Sequence, residues 1–340
     1  MIAMNITARR RMRRLCAAAV LVPAVFLSAC GSPAPSSGGG GGGGGTAGQG
    51  GMLSIATGGT GGVYYPLGGG FATVIRDNIK GYDATVQETN ASVDNMLLLE
   101  NGSAQLAFSV GDVVSDAVKG EGKFAGKPQE VCSLGNIYNN FMQAVTVNDK
   151  GIQNVKDMAG KVISVGAPSS ATEVAALRIL EAAGIDPKSG IQRRQLGAAE
   201  TVAALRDGTI DAGFWSGGLP TGALIDLAGD GDMKLLSIGE YAKPLAEKYG
   251  AYYVEQDIPA NTYEGQTEAV PAIASPNILV ASKKMDKQLQ QDITTALFDN
   301  KEALIKVHPA AGEMDKATAG KVEFVDACPG SKAYFDKSGS

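Results

Sequence analysis

Residues Thr57-Gly-Gly-Thr-Gly-Gly-Val-Tyr-Tyr-Pro66 decide how this chain is read. The apolar run Met52-Leu-Ser-Ile-Ala56 precedes them and reads as a buried strand. Leu67, Phe71, Val74, Ile75 and Ile79 follow on one helical face. The glycines therefore stand where a strand turns into a helix. Without Cβ atoms, Gly58, Gly59, Gly61 and Gly62 let backbone approach a ligand closely. The first N–H groups of the following helix lack internal partners, which makes a cradle for an anion, most simply a carboxylate. Pro66 fits the first helical turn. A phosphate loop would end in Gly-Lys-Ser/Thr, and the chain reads Val63-Tyr64. A dinucleotide fingerprint would place a glycine where Tyr64 stands. Close helix–sheet packing is the competing use of the glycines, and it also accounts for Gly68-Gly69-Gly70.

Two further junctions repeat the pattern. In Lys161-Val-Ile-Ser-Val-Gly-Ala-Pro-Ser-Ser-Ala-Thr-Glu173 a strand again runs into a helix, and Ser170 and Glu173 have capping-box spacing. If Ser170 is consumed as a cap, Ser169 and Thr172 are the better ligand contacts. In Ile210-Asp-Ala-Gly-Phe-Trp-Ser-Gly-Gly-Leu-Pro220 a strand ends at Trp215, the only tryptophan, and opens into a glycine loop. Trp215 is read either as core or as cleft lining.

Short apolar runs alternate with helical segments throughout, the signature of α/β architecture. Expected strands include Thr85–Glu88, Leu106–Val110, Val131–Leu134, Val145–Val147, Ile191–Gln195, Lys234–Ile238 and Ile278–Ala281. Expected helices include Ala91–Asn101, capped by Ser92, and Asp286–Ala303.

The first 29 residues read as an address. Arg9, Arg10, Arg11, Arg13 and Arg14 form a positive n-region, and Leu15 to Leu27 an apolar segment too short to span a bilayer. Leu27-Ser-Ala-Cys-Gly31 resembles the lipobox of bacterial lipoproteins, which implies acylation of Cys30. Residues 30–51 hold the run Gly38–Gly45 and read as a flexible linker spanning about 25 Å as a random coil. Localisation is thus expected to be extracytoplasmic, lipid-anchored to the cell membrane.

Removing those five arginines leaves 25 basic against 35 acidic residues, a net charge near −10. Nucleic acid is not an expected partner, since phosphate neutralisation needs a basic patch. Cys132 and Cys328 remain in an oxidising compartment, either bridged or as two buried thiols. The single histidine, His308, reads as a surface residue near a helix end. It cannot alone build a His-based metal site, and no Gly-x-Ser-x-Gly elbow accompanies it. No metal or other cofactor is expected, and the inventory favours a binding protein over an enzyme.

Together the motifs resemble the TAXI class of TRAP-transporter solute receptors from about Leu53 to Phe335. The marks are Thr57–Pro66, Thr89-Asn-Ala-Ser-Val-Asp-Asn95, the Asp112 region, Asn136-Ile-Tyr138, Val155-Lys-Asp-Met-Ala-Gly160 and Asp211–Pro220. The resemblance implies a two-lobed, type II periplasmic-binding-protein-like fold with two crossover strands and a ligand cleft. It implies lobe I from 52–146 with 275–340, and lobe II from 147–274. It implies capture of a small carboxylate (glutamate, glutamine or 2-oxoglutarate-like) by lobe closure, and delivery to a TRAP-type membrane permease, by a monomer. An ABC-importer receptor or a ligand-sensing subunit of the same fold is the alternative. Carried over, the ligand set is Thr57, Gly59, Thr60, Gly61, Tyr64, Ser92 and Asn95 from lobe I, Tyr138 near the crossover, and Ser169, Ser170, Thr172, Trp215, Ser216 and Gly218 from lobe II. The chain departs from the family's Gly-Ser-Gly-Thr-like turn with Pro168-Ser-Ser-Ala-Thr172. Cys328 stands where the family usually carries a histidine.

Overall fold

The computed structural model describes residues 50–338; the signal segment, Cys30 and most of the linker lie outside them. From the N-terminus, β1 (Met52–Ala56), α1 (Tyr64–Asn78), β2 (Asp83–Gln87), α2 (Ser92–Glu100) and β3 (Leu106–Val110) form a βαβαβ unit, followed by α3 (Gly111–Lys119). The long strand β4 (Val131–Val147) leads to a second such unit: β5 (Val162–Ser164), α4 (Ala171–Ala182), β6 (Gln192–Arg194), α5 (Ala198–Arg206) and β7 (Ala212–Gly217). Then come α6 (Gly222–Ala228), β8 (Met233–Leu236), α7 (Ala242–Tyr249) and β9 (Val254–Ile258). A second long strand, β10 (Val270–Ser282), precedes α8 (Lys287–Asp299), α9 (Lys301–Val307) and α10 (Pro329–Ser338).

The strands join one sheet in the order β2-β1-β3-β10-β4-β7-β5-β6, with β8 on β4 and β9 on β10. Pairing is parallel within each βαβαβ unit and antiparallel wherever β4 or β10 takes part. The two halves of the sheet share one plan: three parallel strands with the first in the middle, then an antiparallel long strand. β4 and β10 run through both halves. This is the α/β fold of periplasmic binding proteins of type II.

Each half is covered on both faces, as buried parallel strands require. In the first half Leu67, Phe71 and Ile75 of α1 pack with Ile55, Phe108 and Leu279 on one face. Val93, Met96, Val113 and Val280 pack on the other. In the second half Ile163, Ile179, Leu180 and Phe214 form one layer, and Val145, Val202, Leu205 and Leu224 the other. A Cβ on Gly68 would lie 2.6 Å from Thr57 Cγ2, and one on Gly70 would lie 3.2 Å from Leu304 Cδ2. These two glycines therefore serve close packing of α1.

Several expectations shift. Val131–Leu134 and Val145–Val147 are the two ends of a single 17-residue strand. Gly135, Asn136, Asn139 and Asn140 interrupt the apolar pattern, and the pairing shifts register among them, but the strand continues along β10, with Asn140 buried against the cavity described below. Asp286–Ala303 is two helices: Asn300 closes α8 with its side-chain amide on the Ala296 carbonyl, and α9 starts after it. Strand β9 was not expected; its middle, Glu255-Gln256-Asp257, is polar and exposed, and only Ile258 at its end is buried. Ser92 is not the cap of α2. Ala91 holds that place at φ 74°, while Ser92 Oγ accepts from the Val110 amide at 3.3 Å.

Cys132, at the start of β4, is bonded to Cys328, just before α10. Ser133 N donates to Asp326 O and Cys328 N to Ser133 O, both at 2.8 Å, so the C-terminal segment lies along β4 where the bond is made. Replacing both cysteines by alanine is expected to lower unfolding free energy by about 2–5 kcal/mol in urea titrations. Two alkylatable thiols in the native protein would contradict the bond.

Candidate functional site

A cavity of about 520 Å³ opens where the two βαβαβ units face each other. Four helices present their N-termini to it: α1 through Val63 and Tyr64, α2 through Ala91 and Ser92, α4 through Ser170–Thr172, and α5 through Gly197–Glu200. All four follow strands of the two units, so the parallel arrangement places these helix starts on one side of the sheet. That is the side where ligands of open α/β sheets bind.

The glycine loop forms one wall. A Cβ on Gly62 would stand 3.0 Å from Trp215 Cζ2, and one on Gly61 would stand 3.3 Å from Ala199 Cβ. The loop thus fits directly against the second half, and Ala223 N donates to Gly61 O across the join. Trp215 lines the cavity and donates its indole N–H to Thr221 Oγ1 at 3.2 Å.

The floor belongs to the crossing strands. Asn140 of β4 reaches Tyr64 Oη at 3.4 Å and Ser216 Oγ at 3.5 Å through Nδ2, and its Oδ1 accepts from Asn277 of β10 at 3.2 Å. Tyr64 stacks on Phe108 with ring centroids 5.1 Å apart. Tyr138 lines the cavity and is 1 % exposed, and its hydroxyl has no partner in hydrogen-bond geometry. Burial raises the phenols of Tyr64 and Tyr138 far above their ordinary range, so both stand as neutral O–H groups.

Of the residues named from sequence, Gly59, Thr60, Gly61, Tyr64, Ser92, Tyr138, Ser170, Thr172, Trp215 and Ser216 line this cavity. Thr57, Asn95, Ser169 and Gly218 do not. Thr57 and Asn95 are buried behind the loop: Asn95 Nδ2 donates to Thr57 O at 2.6 Å and Phe108 O at 2.8 Å, and Thr57 Oγ1 donates to Gln87 O at 2.8 Å. Their work is to fix the loop to β1–β3. Ser170 caps α4, accepting from Glu173 N at 3.1 Å. The return bond of the box is displaced by one residue, since Glu173 Oε2 accepts from Ser169 N at 3.0 Å. Thr172 Oγ1 accepts from Ser216 N at 3.1 Å. Ser169 takes φ 61°, and its carbonyl accepts from Val93 N at 3.1 Å across the join. The sequence reading missed Asn140, Glu88, Thr89 and the α5 start. The pair Asn139-Asn140 inside an apolar run was the available signal. His308 is half-buried at the end of α9, its Nδ1 accepting from Ala310 N at 3.1 Å, and it does not border this cavity.

Outside the cavity the halves are tied by a buried ionic group. Arg178 of α4 donates to Asp116 of α3 at 2.8 Å and to Tyr253 Oη at 2.9 Å, lies 3.7 Å from Asp112, and stacks over Tyr249 at 4.1 Å. Tyr253 Oη donates to Asp112 Oδ2 at 2.7 Å. Burial outweighs the guanidinium at Asp112 and holds its carboxyl above the ordinary value.

The sequence matches the NMT1-like family over residues 55–339, and the chain belongs to that family. Among solved structures it is similar to the periplasmic aliphatic sulphonate binding protein SsuA from Escherichia coli, at 14 % identity over 84 % of this chain and 82 % of that one (TM-score 0.44). It is also similar to the alkanesulfonate-binding protein SsuA from Xanthomonas axonopodis pv. citri bound to MOPS, at 15 % identity over 80 % and 87 % (TM-score 0.48). A third likeness is to lipoprotein Tp32 from Treponema pallidum, at 14 % identity over 77 % and 98 % (TM-score 0.43).

Arg178→Leu would leave Asp112 buried without its cation and is expected to destabilise by about 3 kcal/mol at pH 8. An acid whose native pKa is raised makes the native state bind more protons than the unfolded one, so stability falls as pH rises. The loss should therefore be smaller at pH 5 than at pH 8, because lower pH favours the neutral carboxyl, which needs no cation. Urea titrations at both pH values check this, and a pH-independent loss would rule it out.

Proposed function

We propose that this chain is an extracytoplasmic solute receptor that encloses a small carboxylate between two lobes, 52–146 with 275–340 and 147–274, and hands it to a membrane permease. The carrying observation is the cavity itself. Four helix N-termini converge on a buried polar floor whose Tyr138 hydroxyl lacks a partner. Helix N-termini carry partial positive charge and unpaired N–H donors, which suits a carboxylate. Among the described residues the lining holds no lysine, arginine, histidine or cysteine, so neutral donors do the recognising and no nucleophile–base pair of these borders the space. The volume suits a small molecule.

The resemblance of the glycine loop and the Asp211–Pro220 segment to TAXI receptors supports a TRAP-type permease as the partner. Acylation of Cys30 would hold the receptor at the membrane within reach of it. An ABC importer or a sensor kinase would use the same capture step, and a TRAP permease gene beside this one would favour the TRAP reading over both.

Trp215 is the chain's single tryptophan and lines the cavity, so its fluorescence reports occupancy directly. Titration of the purified protein with amino acids, 2-oxo acids and other small carboxylates is expected to give a saturable change with a matching rise in melting temperature. A folded, ligand-free sample that responds to none of them would overturn the carboxylate reading. Tyr64→Phe keeps the stack on Phe108 and removes only the hydroxyl. It should weaken binding roughly three- to tenfold, the worth of about one hydrogen bond, and unchanged affinity would remove Tyr64 from the site.

A further inference from the structure

The four helix starts around the cavity are not electrostatically equal. α2 carries Asp94 in its first turn, and its Val93 and Asp94 amides donate to the Ser169 carbonyl. α4 carries Glu173, whose side chain accepts from Ser169 N and is further paired with Arg193 and Gln195. α5 carries Glu200 at its third position. A Cβ on Gly197 would collide with that carboxylate, which folds back over the start of its own helix. Each of these three positive ends already has a fixed anion. α1 has no acidic residue in its first turn and no side-chain cap, and the glycine loop brings this one uncompensated end to the cavity. An aligned helix presents about half a positive charge there. Tyr138 lines the same space, and its buried, unpartnered hydroxyl is an independent donor for whatever sits there.

The charges elsewhere on the lining have one sign. Among the described residues Glu88 and Glu200 are the only ionisable acids or bases other than tyrosines that border the cavity, and both are exposed. Glu88 lies against the glycine loop, with Oε1 3.9 Å from where a Cβ on Gly59 would stand. A ligand with one carboxylate fills the α1 seat and leaves these acids free to meet water or a donor group. A ligand with two carboxylates has no second seat and turns its other charge toward Glu88 or Glu200.

We propose that the cavity has a single anion seat, at the N-terminus of α1, and that Glu88 and Glu200 select ligands with one carboxylate against those with two. The inference rests on the receptor reading above and narrows it: of the small carboxylates, those whose far end is neutral, hydrogen-bond-donating or cationic are bound, and dianions are turned away.

The test is calorimetry with pairs that differ only in whether the second acid is an amide: glutamine against glutamate, asparagine against aspartate, succinamate against succinate. The amide member is expected to bind about tenfold more tightly, the size of a few screened like-charge contacts at the mouth of a cleft. Glu88→Gln with Glu200→Gln should bring the two members of the preferred pair to within about threefold, by strengthening binding of the dicarboxylate. A dicarboxylate bound as tightly as its amide partner, or more tightly, overturns the inference and leaves the receptor reading standing. A preference that survives the double substitution unchanged overturns the role of the two glutamates. No binding of any pair, by protein that unfolds cooperatively, overturns the receptor reading and the inference with it.

Discussion

The antiparallel pairing of β4 with β10 is the constraint on which the rest of the structure depends. Both strands pass through the two halves of the sheet, and their register runs from Val131 opposite Ser282 to Met142 opposite Ile273. At ~3.3 Å per residue β4 alone extends about 55 Å. Each long strand closes one βαβαβ unit, β10 against β3 and β4 against β7, so neither unit is complete without a strand that also belongs to the other. The helix starts that face each other over the cavity owe their opposition to this shared pair. The register shifts in the pairing, at Asn277/Ile278 and Leu279/Val280, fall in the stretch of β10 that also pairs with β3, where the ladder accommodates a local irregularity.

A polar floor at that crossing carries a cost that the structure offsets in part. Asn140 and Asn277 are fully buried and bond each other, and Asn140 serves Tyr64 and Ser216 as well. The Tyr138 hydroxyl and Asn277 Oδ1 are left without partners. A buried hydroxyl without a partner costs about 1–3 kcal/mol, which a bound acceptor would recover. The ionic group at Arg178 lies next to this floor and joins α3 to α4 directly.

Much of this was legible in the sequence, and the exceptions have physical causes. The strand–glycine–helix junctions at Thr57, Pro168 and Trp215 declared themselves because glycine clusters and helix caps are local signals. The alternation of runs gave the α/β class for the same reason. β4 was read as two pieces because its middle is polar, and only tertiary context explains polar residues inside a central strand. Thr57 and Asn95 were read as ligand contacts because a hydroxyl or an amide beside a glycine loop looks the same in sequence whether it faces inward or outward. Asn95 turns inward, to the carbonyls of Thr57 and Phe108, and builds the loop it was expected to complement. Glu88 and Glu200 were silent because nothing in an isolated exposed acid tells that it will stand at the edge of a cleft.

A seat made from a helix end rather than a lysine or arginine has a consequence for how capture would work. A partial charge and a few N–H dipoles interact weakly with an anion in open water, where the dielectric constant is near 80, and several times more strongly in a cavity from which water is excluded. On the receptor reading, most of the binding free energy would then appear only when the second half closes over the glycine loop. The contacts of Gly61 and Gly62 with Ala199 and Trp215 are where that closure is complete. A ligand can shift a conformational equilibrium only by its difference in affinity between the two states. A neutral-donor seat makes that difference large, whereas a fixed ammonium or guanidinium would hold the anion appreciably in the open state too. The lack of a cation on this lining therefore suits a receptor whose closure reports that the ligand is present.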